Sequence, residues 1–477
     1  MLTLTIAGLI VAAAPQSVEI TIYNANFGLV KEIRFINLQQ GRQELRIEDV
    51  AERIDPTSVT IRPLTGGPIE VLEQNYQYDL LSPESILAKS IGKRIRLRQL
   101  LDSGQLITTE GVLLSAPGRV VNTGSGAMQT YSGLVLQTDD GRFILNPTGT
   151  IEVLELPEGL ISKPTLMWDI LAPTGGARNI ELAYLTENIT WSADYVLTLS
   201  ADDTMADLNG WVTINNQSGA TYNNATLKLV AGDVRRIQPA RQFGGRGGVG
   251  MPEAARADLG FAEETLFEYH LYTLGRPATV RNRETKQISL LSAQGATVTK
   301  RLVVEGQRSV WAGYGRSYRP GEGYATDPNV KVNILVEVTN SDQNRLGMPL
   351  PKGKVRVYKR DTSGQVQMLG EDQIDHTPRE EKIRLYIGDA FDVVAERKRT
   401  SFRRIASNVV EETFEITVRN RKKVAETVEV IEHGWSDWEI VSESQQSEKM
   451  DSNTFRYIVR LQPDEQKVVR YTIRTTW

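Results

Sequence analysis

An all-β chain of several domains is what this sequence predicts, and three observations predict it. Short alternations of apolar and polar residues recur from end to end, as in "VEITIY", "SVTIRP", "NIELAY", "DYVLTLS", "KVNILVEV", "KVRVY", "TFEITV", "ETVEVIE" and "VVRYTIR". That period of two is what buries one face of a strand. The 39 glycines and 19 prolines supply turns between such runs. A length of 477 residues accommodates roughly three domains at about 150 residues each. Many short strands separated by turn signals imply sandwiches or small barrels.

Composition narrows the function classes. Hydrophobic residues make up 40% and charged residues 24% of the chain, the balance of a soluble globular protein. With 55 basic and 59 acidic residues the formal net charge is -4, so no global field draws the chain to nucleic acid or to an anionic membrane. There is no cysteine, which excludes disulfides, thiolate metal sites and thiol nucleophiles.

The opening "MLTLTIAGLIVAAAPQS" carries an apolar run from Leu4 to Ala14 that ends in small residues. It predicts a secretory signal over 1–14, cut most easily after Ala13, and export to the periplasm or cell surface. The run is too short to span a bilayer, so no transmembrane segment is expected in the mature chain. The "LTLTI" alternation leaves a buried first strand as the alternative.

Residues 15–81 read as the N-terminal β segment of a central sandwich. Residues 82–158 read as a separate insert: a short helix with Ser82 as its cap and Pro83 in its first turn, then five strands in "KRIRLRQ", "TTEGVLLSA", "SGLVLQTDD", "RFILNP" and "TIEVLELP". Asp140 and Gly141 supply a tight turn. One helix followed by five short strands suggests a small barrel of the Sm-like or SH3-like type. Arg94, Arg96 and Arg98 fall on one strand face, a stripe that could touch RNA but reads more simply as an ion-paired surface.

Pro157, Gly159 and Pro164 mark the next boundary, and 159–325 forms the rest of the central sandwich with a Gly-rich loop at 241–252. Within it "GWVTINNQSGATYNNATLKLVAGDV" predicts a β-hairpin that buries Leu208, Val212 and Ile214 on one strand and Leu227 and Leu229 on the other. A short helix is possible over Glu253 to Asp258. Residues 326–477 read as a C-terminal immunoglobulin-like sandwich. A two-residue turn at Ser407 and Asn408 there sets Arg404 opposite Glu411 and Arg403 opposite Glu412. No internal repeat is evident.

Chemistry is sparse. His270, His376 and His433 lack metal-ligand spacing and read as structural. Gly245, Gly247 and Gly250 match a dinucleotide-loop pattern but do not directly leave a strand, so no cofactor or metal is expected. Asp375, His376, Glu380, Glu381, Asp389 and Asp392 form the one polar concentration. A hydrolase could use two such carboxylates, although a solvated turn explains them as well. Trp435 and Trp438 differ in parity and read as core or edge packing. "WAGYGRSYRPGEGY" gathers Trp311, Tyr314, Arg316, Tyr318, Arg319 and Tyr324 among glycines, the mixture found in recognition loops. An interdomain connector is the structural alternative for that loop.

The stretches "TIYNANFGLVKEIR", "NITWSADYVL", "GWVTINNQSGATYNNATLKLVAGDV", "LGMPLPKGKVRVYKRDTSGQ" and "DHTPREEKIRLYIGDAFDVV" resemble a bacterial family of exported proteins catalogued as a domain of unknown function. That family is in turn similar to the C-terminal part of the mucoidy inhibitor A family. The resemblance runs across nearly the whole chain and implies a cell-envelope setting. It supplies no catalytic residues, and the long heptad segment of mucoidy inhibitor A has no counterpart here. The sequence therefore predicts an exported envelope protein that binds or scaffolds without catalysis, with an envelope polysaccharide or a protein as partner. A polysaccharide or peptide hydrolase built on 375–392 is the second reading.

Overall fold

The computed structural model describes residues 9–79, 82–100, 104–116, 119–123, 128–155, 157, 160–232, 234, 261–266, 269–306, 329–361 and 363–477. Strands dominate, in several sheets. Among the described residues no helix is long and apolar enough to cross a membrane. The Gly-rich loop 241–252, the helix considered over Glu253 to Asp258 and the aromatic loop from Trp311 to Tyr324 lie outside the described residues. The chain divides into two compact units, one of residues 1–190, 215–228 and 276–284, the other of 191–214, 229–275 and 285–477.

In the first unit Leu9–Val11, Gly41–Glu48, Thr165–Ala172 and Glu70–Gln77 form a four-stranded sheet in that order. Ser17–Tyr23, Phe27–Leu38, Gly176–Glu187 and Thr60–Pro63 line up in a second. Alternate residues are buried as the period of two requires: Ile20 and Ile22, Leu45 and Ile47, Leu166, Trp168 and Ile170. The described end of the N-terminal apolar run is itself a strand. Leu9–Val11 pairs in parallel with Gly41–Glu48, Ala12 N donates to Arg46 O at 2.9 Å, and buried Arg34 donates through Nη1 to Ala13 O at 3.1 Å.

Residues 82–158 carry their own core. The Pro83–Lys89 helix starts where Ser82 Oγ accepts from Ser85 N at 3.0 Å. Five strands follow, Arg94–Leu100, Leu106–Ser115, Val135–Thr138, Phe143–Leu145 and Thr150–Val153. The fifth returns to pair beside the first. Leu87, Ile95, Leu97, Leu113, Leu134 and Leu136 pack together beneath them. The expected turn is a loop of Asp139, Asp140 and Gly141 with Gly141 at φ +84°, a left-handed conformation that glycine adopts without strain. A hairpin of Arg119–Thr123 and Met128–Ser132 interrupts the series and was not anticipated.

The second unit is organised around the 22-residue strand Glu284–Glu305. Val332–Thr339 pairs with it antiparallel and Glu426–His433 in parallel. Lys382–Asp389 continues the sheet beyond Val332–Thr339. A five-stranded sheet of Asn329–Val330, Val393–Ala406, Val409–Asn420, Gln466–Thr476 and Asp437–Glu443 completes the C-terminal third. Phe414, Ile416, Val430, Phe455 and Tyr471 are buried there, around an ion pair of Arg397 and Glu432 that is 3% and 0% exposed. A pair so deep holds only with further partners. Tyr471 donates to Glu432 at 2.7 Å, and the Arg397 guanidinium lies 4.0 Å above the Phe414 ring.

Two expectations need correction. Met205–Asn216 and Tyr222–Ala231 are strands with the predicted buried faces, but they do not form a hairpin. The first lies between Ile189–Leu199 and Glu284–Glu305, the second in another sheet beside Ser17–Tyr23. Alternation gives each strand its face and is silent on its partner. At Ser407 and Asn408 the turn is present, with Ala406 opposite Val409, yet a bulge at Ile405 shifts the register. Arg403 faces Glu411, and Arg404 faces Val410. One extra residue in one strand does this.

A repeated device also appears where none was read from sequence. Three strands run out at an asparagine that is 0% exposed: Asn216 and Asn420 are the last residues of theirs, and Asn340 directly follows Val332–Thr339; in each case the next strand pairs elsewhere. Asn216 Nδ2 donates to Ala220 O at 2.9 Å and Arg281 O at 3.0 Å, while its Oδ1 accepts from Ser218 N at 3.1 Å. Asn340 Nδ2 donates to Met348 O at 2.8 Å and Pro378 O at 2.9 Å, and Oδ1 accepts from Gly347 N at 3.1 Å. Asn420 Nδ2 donates to Val424 O at 2.8 Å and Gln462 O at 3.1 Å, and Oδ1 accepts from Lys422 N at 3.0 Å. One amide thus pairs carbonyls and an N–H that have left the strand ladders, groups that burial would otherwise orphan.

Asn216→Ala should therefore lower the unfolding free energy by about 1–3 kcal/mol for each buried group left unpaired, as read by denaturant unfolding. The exposed neighbour change Asn215→Ala should stay within about 0.5 kcal/mol. Equal effects at the two positions would refute the role given to Asn216.

Candidate functional site

The carboxylates of 375–392 are not brought together. Asp375 and His376 lie in the connection before the Lys382–Asp389 strand, whereas Asp389 ends that strand and Asp392 follows it. Seven steps at about 3.3 Å each separate the two ends by about 23 Å, too far for two groups to act on one bond. Asp375 is 90% exposed and sits 3.3 Å from Lys352, whose backbone N donates to His376 Nδ1 at 3.1 Å. Asp389 accepts from Asn333 Nδ2 at 2.9 Å and from Tyr386 Oη at 3.0 Å. Glu381 is exposed.

The remaining candidates have structural settings. His270 Nδ1 lies 2.7 Å from Glu263, and His433 Nδ1 lies 3.3 Å from Thr454 Oγ1. Among the described residues no group of three or more acidic or histidine side chains is placed to hold a metal. Arg94, Arg96 and Arg98 do share a face, but acids on the flanking strands and in the turn at Asp139 meet them. Arg94 pairs with Asp139 at 2.7 Å, Arg96 with Glu110 at 2.7 Å and Glu152 at 3.3 Å, and Arg98 with Glu152 at 3.0 Å. Trp438 packs on Phe455 with ring centroids 5.2 Å apart, and Trp435 on Trp477 at 5.3 Å. Trp435 lies outside the strands rather than on the far face of one.

Among the described residues of the second unit lies a polar groove of about 630 Å³, within the about 300–1,000 Å³ of small-molecule sites. Its floor is a grid set by strand register. Thr339 lies opposite Lys382, Thr299 opposite Glu337 and Glu337 opposite Arg384; Thr297 is one residue beyond the Val298–Val338 pair at the end of the first ladder and two from Thr299, on the same face. Partners across a ladder share a face, so these side chains project together. The wall is the turn from Ser341 to Asn344, with Glu380 beside it. Asn344 clamps turn to floor, its Oδ1 accepting from Thr297 N at 3.0 Å and its Nδ2 donating to Thr339 O at 2.8 Å. Gly347 makes room for the turn, since a Cβ there would strike Asp342 Oδ1.

The acids of the groove are engaged. Asp342 pairs with Arg379, which also lies 3.7 Å from Glu380. Glu337 accepts from Arg301 at 2.6 Å and Arg384 at 2.7 Å. That contact begins a ladder across the sheet: Arg301 continues to Glu429 at 2.6 Å, Glu429 to Arg456 at 3.1 Å, and Arg456 to Glu448 at 2.8 Å. Burial opposes ionisation of Glu337, but hydrogen bonds from Arg301 and Arg384 outweigh it and hold its carboxyl below the ordinary range. The hydrogen bond from Arg301 does the same for Glu429. By contrast, Thr297, Thr299, Thr339, Ser341, Gln343 and Lys382 line the groove with hydroxyls, an amide and an ammonium, and among the described residues no side-chain hydrogen bond or ion pair engages them.

Sequence reasoning missed this site because its residues come from three separated stretches, 297–299, 337–344 and 380–382. Its one local trace is the paired threonines of "ATVTK", whose parity exposes both. No protein-family model matches the chain, and no curated protein matches it.

The ladder makes stability depend on pH. Glu337 and Glu429 are held below the ordinary value of 4.5 in the folded chain, so their contribution is full above that value and is lost as pH falls through the depressed folded values. Arg301→Gln should be less stable than the parent at neutral pH, and the gap should close as thermal melts are taken below about pH 4.5. A gap that stays constant with pH would exclude the ladder as its cause.

Proposed function

We propose that this is an exported cell-envelope protein that acts without catalysis, as a binding and scaffolding module whose groove holds a hydroxyl-rich ligand, an envelope polysaccharide. The convergence of six unengaged polar side chains on one groove carries this reading, because groups of that kind gain partners only when a ligand or water supplies them. A binding role fits the groove's acids better than an acid–base role. A general acid works best with a pKa near the operating pH, and arginines keep Glu337 ionised instead.

The finer architecture belongs to the same proposal. A helix followed by five strands, the fifth beside the first, supports an Sm-like or SH3-like barrel for 82–158. Arches that carry the chain from one set of strand partners to another support immunoglobulin-like sandwiches, since that connection typifies them. The apolar run from Leu4 to Ala14, with its small-residue end, supports export, as does the resemblance to exported envelope proteins of the mucoidy inhibitor A type.

Mass spectrometry of the native protein should find a terminus near Ala14 in exported material; an intact Met1 on cytoplasmic material would reject export. A glycan screen of the purified chain should return envelope polysaccharide ligands. The double change Thr297→Val and Thr299→Val, which removes hydroxyls and keeps shape, should weaken their binding about tenfold, with each lost hydrogen bond worth about 0.5–1.5 kcal/mol. Unaltered binding in that variant would remove the groove from the proposal.

A further inference from the structure

The groove's charges are segregated, and their arrangement specifies a ligand more narrowly than its hydroxyls do. Away from the groove across the sheet, Arg384, Arg301 and Arg456 alternate with Glu337, Glu429 and Glu448, three cations against three anions, and of the six Glu337 alone lines the groove. That ladder is neutral, so Lys382 leaves the floor with one positive charge. On the wall Asp342 and Glu380 share the single cation Arg379, which leaves one negative charge. Arg379 is committed to Asp342, and Glu380, at 3.7 Å, is the looser partner. Lys382 makes no ion pair with any of the three carboxylates that line the same groove. Lys382 and Glu380 thus line one groove as an ammonium without an ion pair among the described residues and a carboxylate only loosely paired.

The backbone adds a second, independent observation at the same residue. Glu380 has φ 65°, the left-handed region that glycine or asparagine adopts far more readily than glutamate. Its N donates to Asn340 O at 2.8 Å, so the conformation is held by the buried arch and the side chain is aimed at the groove.

We infer that the groove binds a zwitterionic sugar chain, one that carries an amine and a carboxylate on neighbouring residues, with the amine at Glu380, the carboxylate at Lys382 and the ring hydroxyls over Thr297, Thr299 and Thr339. This rests on the reading of the groove as a polysaccharide site. A purely acidic chain meets Glu380 and Asp342 as like charges, and a purely basic one meets Lys382. A neutral chain leaves both charges without partners.

Four tetrasaccharides test it by calorimetric titration: de-N-acetylated heparosan, which alternates amine and carboxylate; its N-acetylated parent, which is anionic; chitosan, which is cationic; and N-acetylated chitotetraose, which is neutral. Titrations run at about 0.01 M salt, where screening extends about 30 Å, and again at about 0.1 M, where it extends about 10 Å. The zwitterionic chain should bind tightest, and more weakly at the higher salt. Lys382→Gln should weaken it about fivefold and abolish its advantage over chitosan; Glu380→Gln should weaken it about fivefold and abolish its advantage over N-acetylated heparosan. Thermal melts confirm that each variant is folded, as both residues are exposed. Equal or tighter binding of the neutral, anionic or cationic chain overturns the zwitterionic assignment and leaves the groove reading standing. If no tetrasaccharide binds, both fall.

Discussion

Everything in this chain that departs from a simple meander depends on one constraint: a backbone that leaves one ladder to enter another must not bury an unpaired N–H or C=O. Asn216, Asn340 and Asn420 meet it in the same way. An amide side chain offers two donors and an acceptor on one rigid plane, and each of these three spans carbonyls on both sides of a crossing. Such groups are costly to orphan and add little when merely exchanged for water. The device is therefore a condition for the topology more than a source of stability. Asn340 also links topology to the candidate site, because the turn it anchors forms the groove's wall and its carbonyl accepts from Glu380 N.

The outward faces obey a second rule. Arginines and glutamates on neighbouring strands meet in chains: around Arg96 in the small insert, from Arg384 to Glu448 in the second unit, and through Arg403, Glu411, Arg474 and Glu439 near the C-terminus. Isolated exposed pairs contribute little, while several charges in one network support each other. The same pairing accounts for the absence of a basic surface stripe at Arg94, Arg96 and Arg98.

The groove illustrates how a site can arise without a motif. Its floor is the ordinary solvent face of three paired strands, and only register places Thr299, Glu337 and Arg384 in one row and Thr339 beside Lys382 in the next. Its wall is an ordinary turn fastened by Asn344. No residue in it is chemically unusual. What distinguishes the place is concavity together with polar groups that the chain itself leaves unmet.

Alternation and turn signals determined that this protein is built of strands and which residues of many strands are buried, because side-chain parity and local turn chemistry are properties of consecutive residues. The cap at Ser82 and the turns at Gly141 and Ser407 were legible for the same reason. Partnership between strands was not. The strands before and after Asn216 have clean faces, yet which sheet each joins depends on long-range packing that parity does not encode. The bulge at Ile405 adds one residue and moves Arg403 from Glu412 to Glu411, a shift that composition cannot reveal. Asp375 and Asp389 looked like neighbours in sequence, and one extended strand holds them apart. Thr299 and Arg384 are far apart in sequence, and two ladders bring them into one row. Tertiary structure alone decided these relations, since distance across a sheet is set by register and pairing, and neither is written in any single stretch of chain.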